Sequence, residues 1–143
     1  MCFFLMLGAD NVRLPLTKAK FTNLRMLDPA GTPYPLLLNY ARSLWPDLHL
    51  IDDFSLGPGT PFVASRAARI VGYIRKDGIR YGCTSNKKTK ADCYAFIAEA
   101  NIRSPVEISS IFVIQVANKT PQVCAMVRRL MSDDHVPVLP WDL

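Results

Sequence analysis

The stretch RIVGYIRKDGIRYGCT, residues 69–84, decides how this chain is read. Arg69 to Arg75 and Ile79 to Thr84 are β-rich runs that flank Lys76-Asp77-Gly78. An Asp-Gly pair between such runs predicts a β-hairpin, because both residues tolerate the positive φ of a type I′ turn. Beyond it, the polar loop Ser85-Asn86-Lys87-Lys88-Thr89-Lys90 leads into a second β-like run. There Cys93, Ala95 and Ile97 alternate with Asp92, Tyr94 and Phe96, so one set faces a core and the other faces away. Pro105 introduces a third run, Ile108 to Val116, and Asn118-Lys119-Thr120-Pro121 forms a turn. In the last run, Gln122 to Leu130, Val123, Ala125 and Val127 share one strand face and Cys124, Met126 and Arg128 the other. Val123, Met126, Val127 and Leu130 also fit a helical stripe, and short apolar runs carry that ambiguity. Pro121 and the preceding strand favour a hairpin return. Five short strands predict a small, highly curved antiparallel sheet or barrel.

The first sixty residues have another texture. Six of the eleven prolines lie between Pro15 and Pro58, together with Gly31, Gly57 and Gly59, which excludes long regular elements there. One helix survives this punctuation. Leu37, Tyr40, Ala41, Leu44 and Trp45 recur at helical spacing within Leu36 to Trp45; Pro35 suits a first turn and Pro46 ends the run. Leu48-His49-Leu50-Ile51 reads as a brief strand, and Ser55 to Pro61 as a linker by composition. Cys2 to Leu7 reads as a buried strand. It is too short for a membrane span and has neither the basic flank nor the small-residue cleavage site of a secretory signal. We expect residues 1–61 to be a proline-rich arm and residues 62–143 to be the β domain. The apolar start and the stop after Trp141-Asp142-Leu143 lead us to expect a piece of a longer protein or a shortened reading of its gene.

Composition and charge narrow the function classes. The chain has 143 residues, 50% hydrophobic and 20% charged, which excludes disorder over most of its length and permits a core without disulfides or zinc. Its net charge of +5 is unevenly placed. Residues 1–60 balance five basic groups with five aspartates, residues 61–103 hold nine basic and three acidic groups, and residues 104–143 hold three and four. A local basic excess marks a surface for nucleic acid or another polyanion. Its carriers are Arg75, Lys76 and Arg80 on the hairpin and Lys87, Lys88 and Lys90 on the next loop, with Thr84, Ser85 and Asn86 as neutral donors. Phosphate contacts need little more, and such contacts give salt-sensitive affinity with little sequence preference. The competing reading is a solvated loop whose lysines blunt an exposed strand edge.

No catalytic constellation stands out. Cys83 or Cys93 with His135 and an aspartate lacks a recognisable nucleophile elbow, and a free cysteine in a β-run is usually a small core residue. Cys2, Cys83, Cys93 and Cys124 include no CxxC pair, and His49 and His135 lie far from them, so no zinc spacing is present. Free thiols suit an intracellular, reducing compartment. Asp52-Asp53 and Asp133-Asp134 are adjacent pairs that point to opposite faces of an extended strand. Gly57-Pro58-Gly59-Thr60 lacks the lysine of a phosphate-binding loop. We therefore expect no enzyme activity, no metal and no cofactor. Trp141, behind Pro137 and Pro140, is a candidate anchor on its own domain or on a partner.

The order of a hairpin carrying Tyr81, the segment Asp92-Cys93-Tyr94-Ala95-Phe96-Ile97, then Pro105-Val106-Glu107-Ile108, Ile111-Phe112-Val113-Ile114 and a strand ending in Val127-Arg128-Arg129 resembles the barrel of bromo-adjacent homology (BAH) domains. With the ending Asp133 to Trp141, it also resembles segments of large basidiomycete proteins linked to transposons. The resemblance covers about residues 66–143. It implies a mainly β fold, a small antiparallel SH3-like or BAH-like barrel, to which composition and spacing add the proline-rich N-terminal arm carrying one short helix. It further implies a module that recruits a protein or chromatin partner in the nucleus; the alternative, from the basic hairpin and loop at residues 75–90, is direct, weakly sequence-specific binding of DNA or RNA. Family members that read methylated lysine use an aromatic cage. The aromatics available for one here are Tyr73, Tyr81, Tyr94, Phe96 and Phe112, with Asp92 or Glu107 as the acidic member. We take Tyr73, Tyr81, Tyr94 and Trp141 as candidate partner-binding residues and assign no histone mark.

Overall fold

The computed structural model of the chain describes residues 2–6, 12–13, 20–21, 33–53, 55–99 and 101–130. In chain order the elements are β1 (Cys2–Met6), β2 (Val12–Arg13), β3 (Lys20–Phe21), α1 (Pro33–Leu44), a 3-10 turn (Pro46–Leu48), β4 (Leu50–Asp52) and β5 (Thr60–Phe62). Then come α2 (Ala64–Ala67), β6 (Ala68–Val71), β7 (Tyr73–Lys76), β8 (Ile79–Gly82), a 3-10 turn (Lys90–Asp92), β9 (Tyr94–Glu99), β10 (Ile102–Ile114) and β11 (Gln122–Arg129). The fold is mainly β. Among the described residues, no helix is long and apolar enough to cross a membrane.

The expected hairpin forms at its expected turn. Lys76 pairs with Ile79, and Asp77 and Gly78 take φ of +52° and +80°, the left-handed pair that a type I′ turn requires. The run before it is bent at Gly72, however. Its first half, β6, pairs with β10, and its second, β7, pairs with β8. A Cβ at residue 72 would collide with the side-chain amide of Asn86, so glycine lets the loop after β8 lie against the bend.

β10 organises the domain. On one edge it pairs with β11, which pairs in turn with β1. Its other edge is shared: residues 102–107 pair with β9 and residues 111–114 with β6. Between these halves the register against β11 slips from Ile108↔Val127 to Ser110↔Met126, a bulge of one residue. That extra residue re-phases the alternation, so Val106, Ile108, Ile111 and Val113 all join one cluster while Phe112 and Ile114 join the other. Pro105 lies inside the strand. Its carbonyl accepts from Leu130 N at 3.2 Å, so its nitrogen also faces the β11 side, beyond the last registered pair, where the ladder needs no donor.

Across the last strand the sequence left strand and helix open, and the strand forms. Cys124 lies on the α1 side and Ala125 and Val127 on the other, all at most 1% exposed. On the first face α1 lays Tyr34, Leu37, Leu38 and Ala41, with Trp45 just past its end, against Ala68, Phe112, Ile114 and Cys124. On the second, Ile74, Cys83 and Ile97 fold over Val71, Ile111 and Val113. The helix begins three residues earlier than the spacing predicts, because Pro33 and Pro35 both fit a first turn. Segments before and after residue 61 thus share one hydrophobic cluster, and β1, β2 and β3 pair with β11, β7 and β6.

Two expectations are corrected. The ladders do not close into a barrel: the described strands form an open six-stranded sheet, a three-stranded sheet and a parallel pair. Closure would require β8 to pair with β9, no such pairing forms, and the loop of residues 83–93 that joins them bonds to β10 instead. Its Thr84 N and Ser85 N donate to the Ile108 and Ser109 carbonyls at the bulge, and Ile108 N donates to the Cys93 carbonyl. The second correction concerns Ser55 to Pro61, whose end is a strand. Leu50↔Thr60 begins a parallel pair, helped by Thr60 N donating to the His49 carbonyl at 3.2 Å. Trp141, His135 and the Asp133-Asp134 pair lie outside the described residues.

Candidate functional site

The basic groups gather on the β7–β8 hairpin and the loop that follows it. The backbone register sets Arg13 opposite Arg75 and Arg75 opposite Arg80 across three strands. Arg75 and Arg80 are both exposed, and like charges directly opposite each other on a sheet repel. Asp92 relieves the crowding. Its Oδ2 accepts from Arg80 Nε at 2.8 Å and Nη2 at 2.5 Å. Arg80 is therefore held in place, while Arg75 stays exposed with no ion pair among the described residues. Lys76 is half-buried.

The loop carrying Lys87, Lys88 and Lys90 is built rather than slack. Thr89, only 5% exposed, donates from Oγ1 to the Gly72 carbonyl at 2.7 Å. Gly82 lies directly beneath, where a Cβ would collide with the Thr89 carbonyl. Asn86 Oδ1 accepts from Lys88 N at 2.9 Å, and Asn86 O, Thr89 N, Thr89 O and Asp92 N form two successive turns. All three lysines point to solvent from this frame. Sequence reasoning placed the charges but missed Thr89, whose anchoring role depends on contacts across 17 positions.

The candidate aromatics are not brought together. Tyr73 stands opposite Gly82 and Tyr81 opposite Ile74, so the two tyrosines lie on opposite faces of the hairpin. Tyr81 packs against the cluster under the sheet, and Phe112, 1% exposed, is core beneath α1. The acidic candidates are engaged elsewhere, Asp92 with Arg80 and Glu107 with Arg128 at 2.8 Å.

Two aromatics do share a surface. Tyr94 and Phe96 stand on the same face of β9, 60% and 63% exposed. Phe96 is opposite Pro105 in register, and Leu130, 43% exposed, donates its N–H to Pro105 from the next strand. The Arg103 guanidinium lies 5.0 Å from the Phe96 ring centroid, a cation–π contact at the rim of the patch. An aromatic, aliphatic and arginine set of this kind suits protein contact. Arg103 was not singled out from sequence. Its place is set by the β9–β10 register, which puts Arg103 opposite Ala98, with Asn101 at φ +67° just ahead of β10.

The remaining chemistry is quiet. Cys83, Cys93 and Cys124 are buried free thiols. Burial, with the Glu107 carboxylate adding to it, pushes the Cys93 thiol up, and burial pushes Cys124 up to about 12, the reverse of an activated nucleophile. Asp52 turns inward on its own chain, accepting from Ser55 N at 2.8 Å and Ser55 Oγ at 3.0 Å. An open groove of about 640 Å³ beside α2 is lined by Thr60, Pro61, Arg66, Arg69 and Gln115. The fold and its surfaces define a mainly β domain with an anchored basic loop and an exposed aromatic patch. Comparison with protein-family profiles, curated proteins and solved structures found no match.

Proposed function

We propose that the chain is a non-enzymatic interaction module, akin to small BAH-like or SH3-like β modules, that recruits a protein or chromatin partner within a larger nuclear protein. The observation that carries this reading is the exposure of Tyr94 and Phe96 side by side on β9, with Leu130 and Arg103 at their flank. Large exposed aromatics next to a cation are the usual anchors of protein recognition. The test is affinity capture from nuclear extract with the full chain, paired with an array of modified and unmodified histone tails. Tyr94→Ser with Phe96→Ser is expected to reduce the retained partner by about tenfold or more. Its unfolding midpoint should stay close to that of the wild type, since both rings are solvent-facing. Recovery of the same proteins in the same amounts by both forms sinks the reading.

Direct nucleic-acid binding is the second reading, favoured by the exposure of Arg75, Lys87, Lys88 and Lys90 around the anchored loop. Labelled DNA and RNA titrated at two salt concentrations should show affinity that falls steeply with salt. Lys87→Glu with Lys88→Glu should weaken binding on every sequence and lower the salt slope by about 2. An unchanged slope, or no binding at low salt, removes this reading.

A further inference from the structure

Within the interaction-module reading, on which this rests, we infer that the outer edge of β9 is a strand-addition site for an extended peptide with acidic residues flanking an apolar centre. The hydrogen-bonding pattern identifies the edge. Cys93 O accepts from Ile108 N, so Cys93 faces β10, and alternation turns Ala95, Ile97 and Glu99 the same way. Tyr94, Phe96 and Ala98 therefore direct their N–H and C=O groups away from β10. No described strand pairs there, since β9 is bonded to β10 alone.

Edge strands of this kind normally carry a guard: a lysine, a proline, a bulge or an inward charge. Tyr94 to Ala98 carries no lysine, proline or bulge, and the one charge in β9 is Glu99 at its end. An incoming strand would find three donors, three acceptors and two exposed rings on one face, which is the geometry of β-augmentation. Charge selects the occupant. Exposed Lys90 lies just before β9, and exposed Arg103, opposite Ala98, lies at its other end, where Glu99 is the one acidic residue of the strand. An antiparallel second copy centred on Phe96 would bring the Lys90 end of each chain to the Arg103 end of the other, in chains that each carry +5. Cations at both ends instead complement acids at both ends of a peptide.

The probe is a labelled, capped peptide of about ten residues, alternating valine and threonine between terminal glutamates, titrated into the full chain. It should bind about tenfold or more tightly than the same peptide with terminal lysines, and a central proline in the peptide should abolish binding. Amide exchange at Tyr94, Phe96 and Ala98 should slow on binding. In the protein, Ala98→Pro removes an outward N–H without taking a bond from the β10 ladder, and should abolish binding. Phe96→Lys installs the missing guard and should do the same should Ala98→Pro fail to fold. Arg103→Glu should erase the preference for acidic ends. Equal binding of the acidic and basic peptides, binding that survives Ala98→Pro or Phe96→Lys, or no binding at all overturns the inference. A dimer dissolved by Phe96→Lys does so too, by assigning the edge to a second copy. Partner capture lost in Tyr94→Ser with Phe96→Ser but kept in Ala98→Pro, with no peptide bound, overturns strand addition and leaves the module reading standing. Failure of the wild type to retain any partner overturns that reading.

Discussion

Phe112→Ala is expected to cost the domain about 3–5 kcal/mol, whereas Phe96→Ala should cost under about 1 kcal/mol. The two rings differ in placement, not in chemistry. Phe112 is 1% exposed and lies in β10 opposite Ile70 on one neighbour and Cys124 on the other, facing the α1 side chains Leu37 and Ala41. Strands hydrogen-bonded on both sides prevent the sheet from closing over the missing ring, so most of its volume remains as a cavity. Domains of this size are stable by about 5–15 kcal/mol in total, and the substitution removes a large part of that. Phe96 instead loses only its solvent-facing contact with Arg103. Urea unfolding followed by circular dichroism measures both variants. Comparable losses in the two would overturn the assignment of Phe112 to the core and Phe96 to the surface.

The contrast also shows where sequence reading succeeds and stops. Alternation alone put Tyr94 and Phe96 on one face and Cys93, Ala95 and Ile97 on the other, because a strand paired on one side keeps its period of two. Asp77-Gly78 announced its turn because positive φ is a local property of those residues. The helix stripe from Leu37 to Trp45 was local in the same sense. Phe112 could not be sorted this way: a single extra residue at the Ser109 bulge reverses which side chains face α1, and a bulge exists only relative to a partner strand. The same limit hid the close approach of the Asn86 side chain to the bend at Gly72, and the bond from Arg80 to Asp92, twelve positions away. The basic residues were legible as a cluster. That Arg80 is neutralised while Arg75 is not depends on register.

Register also separates the two surfaces. The basic surface is fastened to the turn-and-bulge framework through Thr89 and Ser85, and the aromatic surface belongs to the β9–β10 hairpin. Asp92 stands between them, just ahead of β9 and bound to Arg80. Lys87 and Lys88 can therefore be substituted without disturbing the bonds that hold the aromatic surface, and the salt-slope experiment reports separately from the capture and peptide experiments, which share β9.

Alkali should destabilise this domain, with the buried Cys124 thiol as the largest single contributor. Cys124 is fully buried against Phe112 and α1, and burial raises its pKa from an ordinary 9.0 to about 12. Tyr40, on the same helix, is pushed up to about 12 by burial first and by the Cys124 charge second. Both groups are acids whose folded form resists ionisation, so below pH 9 the stability is intact. Above it the unfolded chain releases the thiol proton and the folded chain does not, so the unfolded state binds fewer protons and stability falls as pH rises. For Cys124 alone the slope is roughly 1 kcal/mol or slightly more per pH unit, reaching about 4 kcal/mol by the top of the window. Cys124→Ala should start about 1 kcal/mol less stable at neutral pH, through the lost sulfur contacts, yet lose stability much less steeply in alkali. The stability curves of the two proteins should therefore cross between pH 9 and 12. Urea midpoints measured across that range decide the point. Parallel curves for wild type and Cys124→Ala would show that other groups, and not this thiol, govern the alkaline limit.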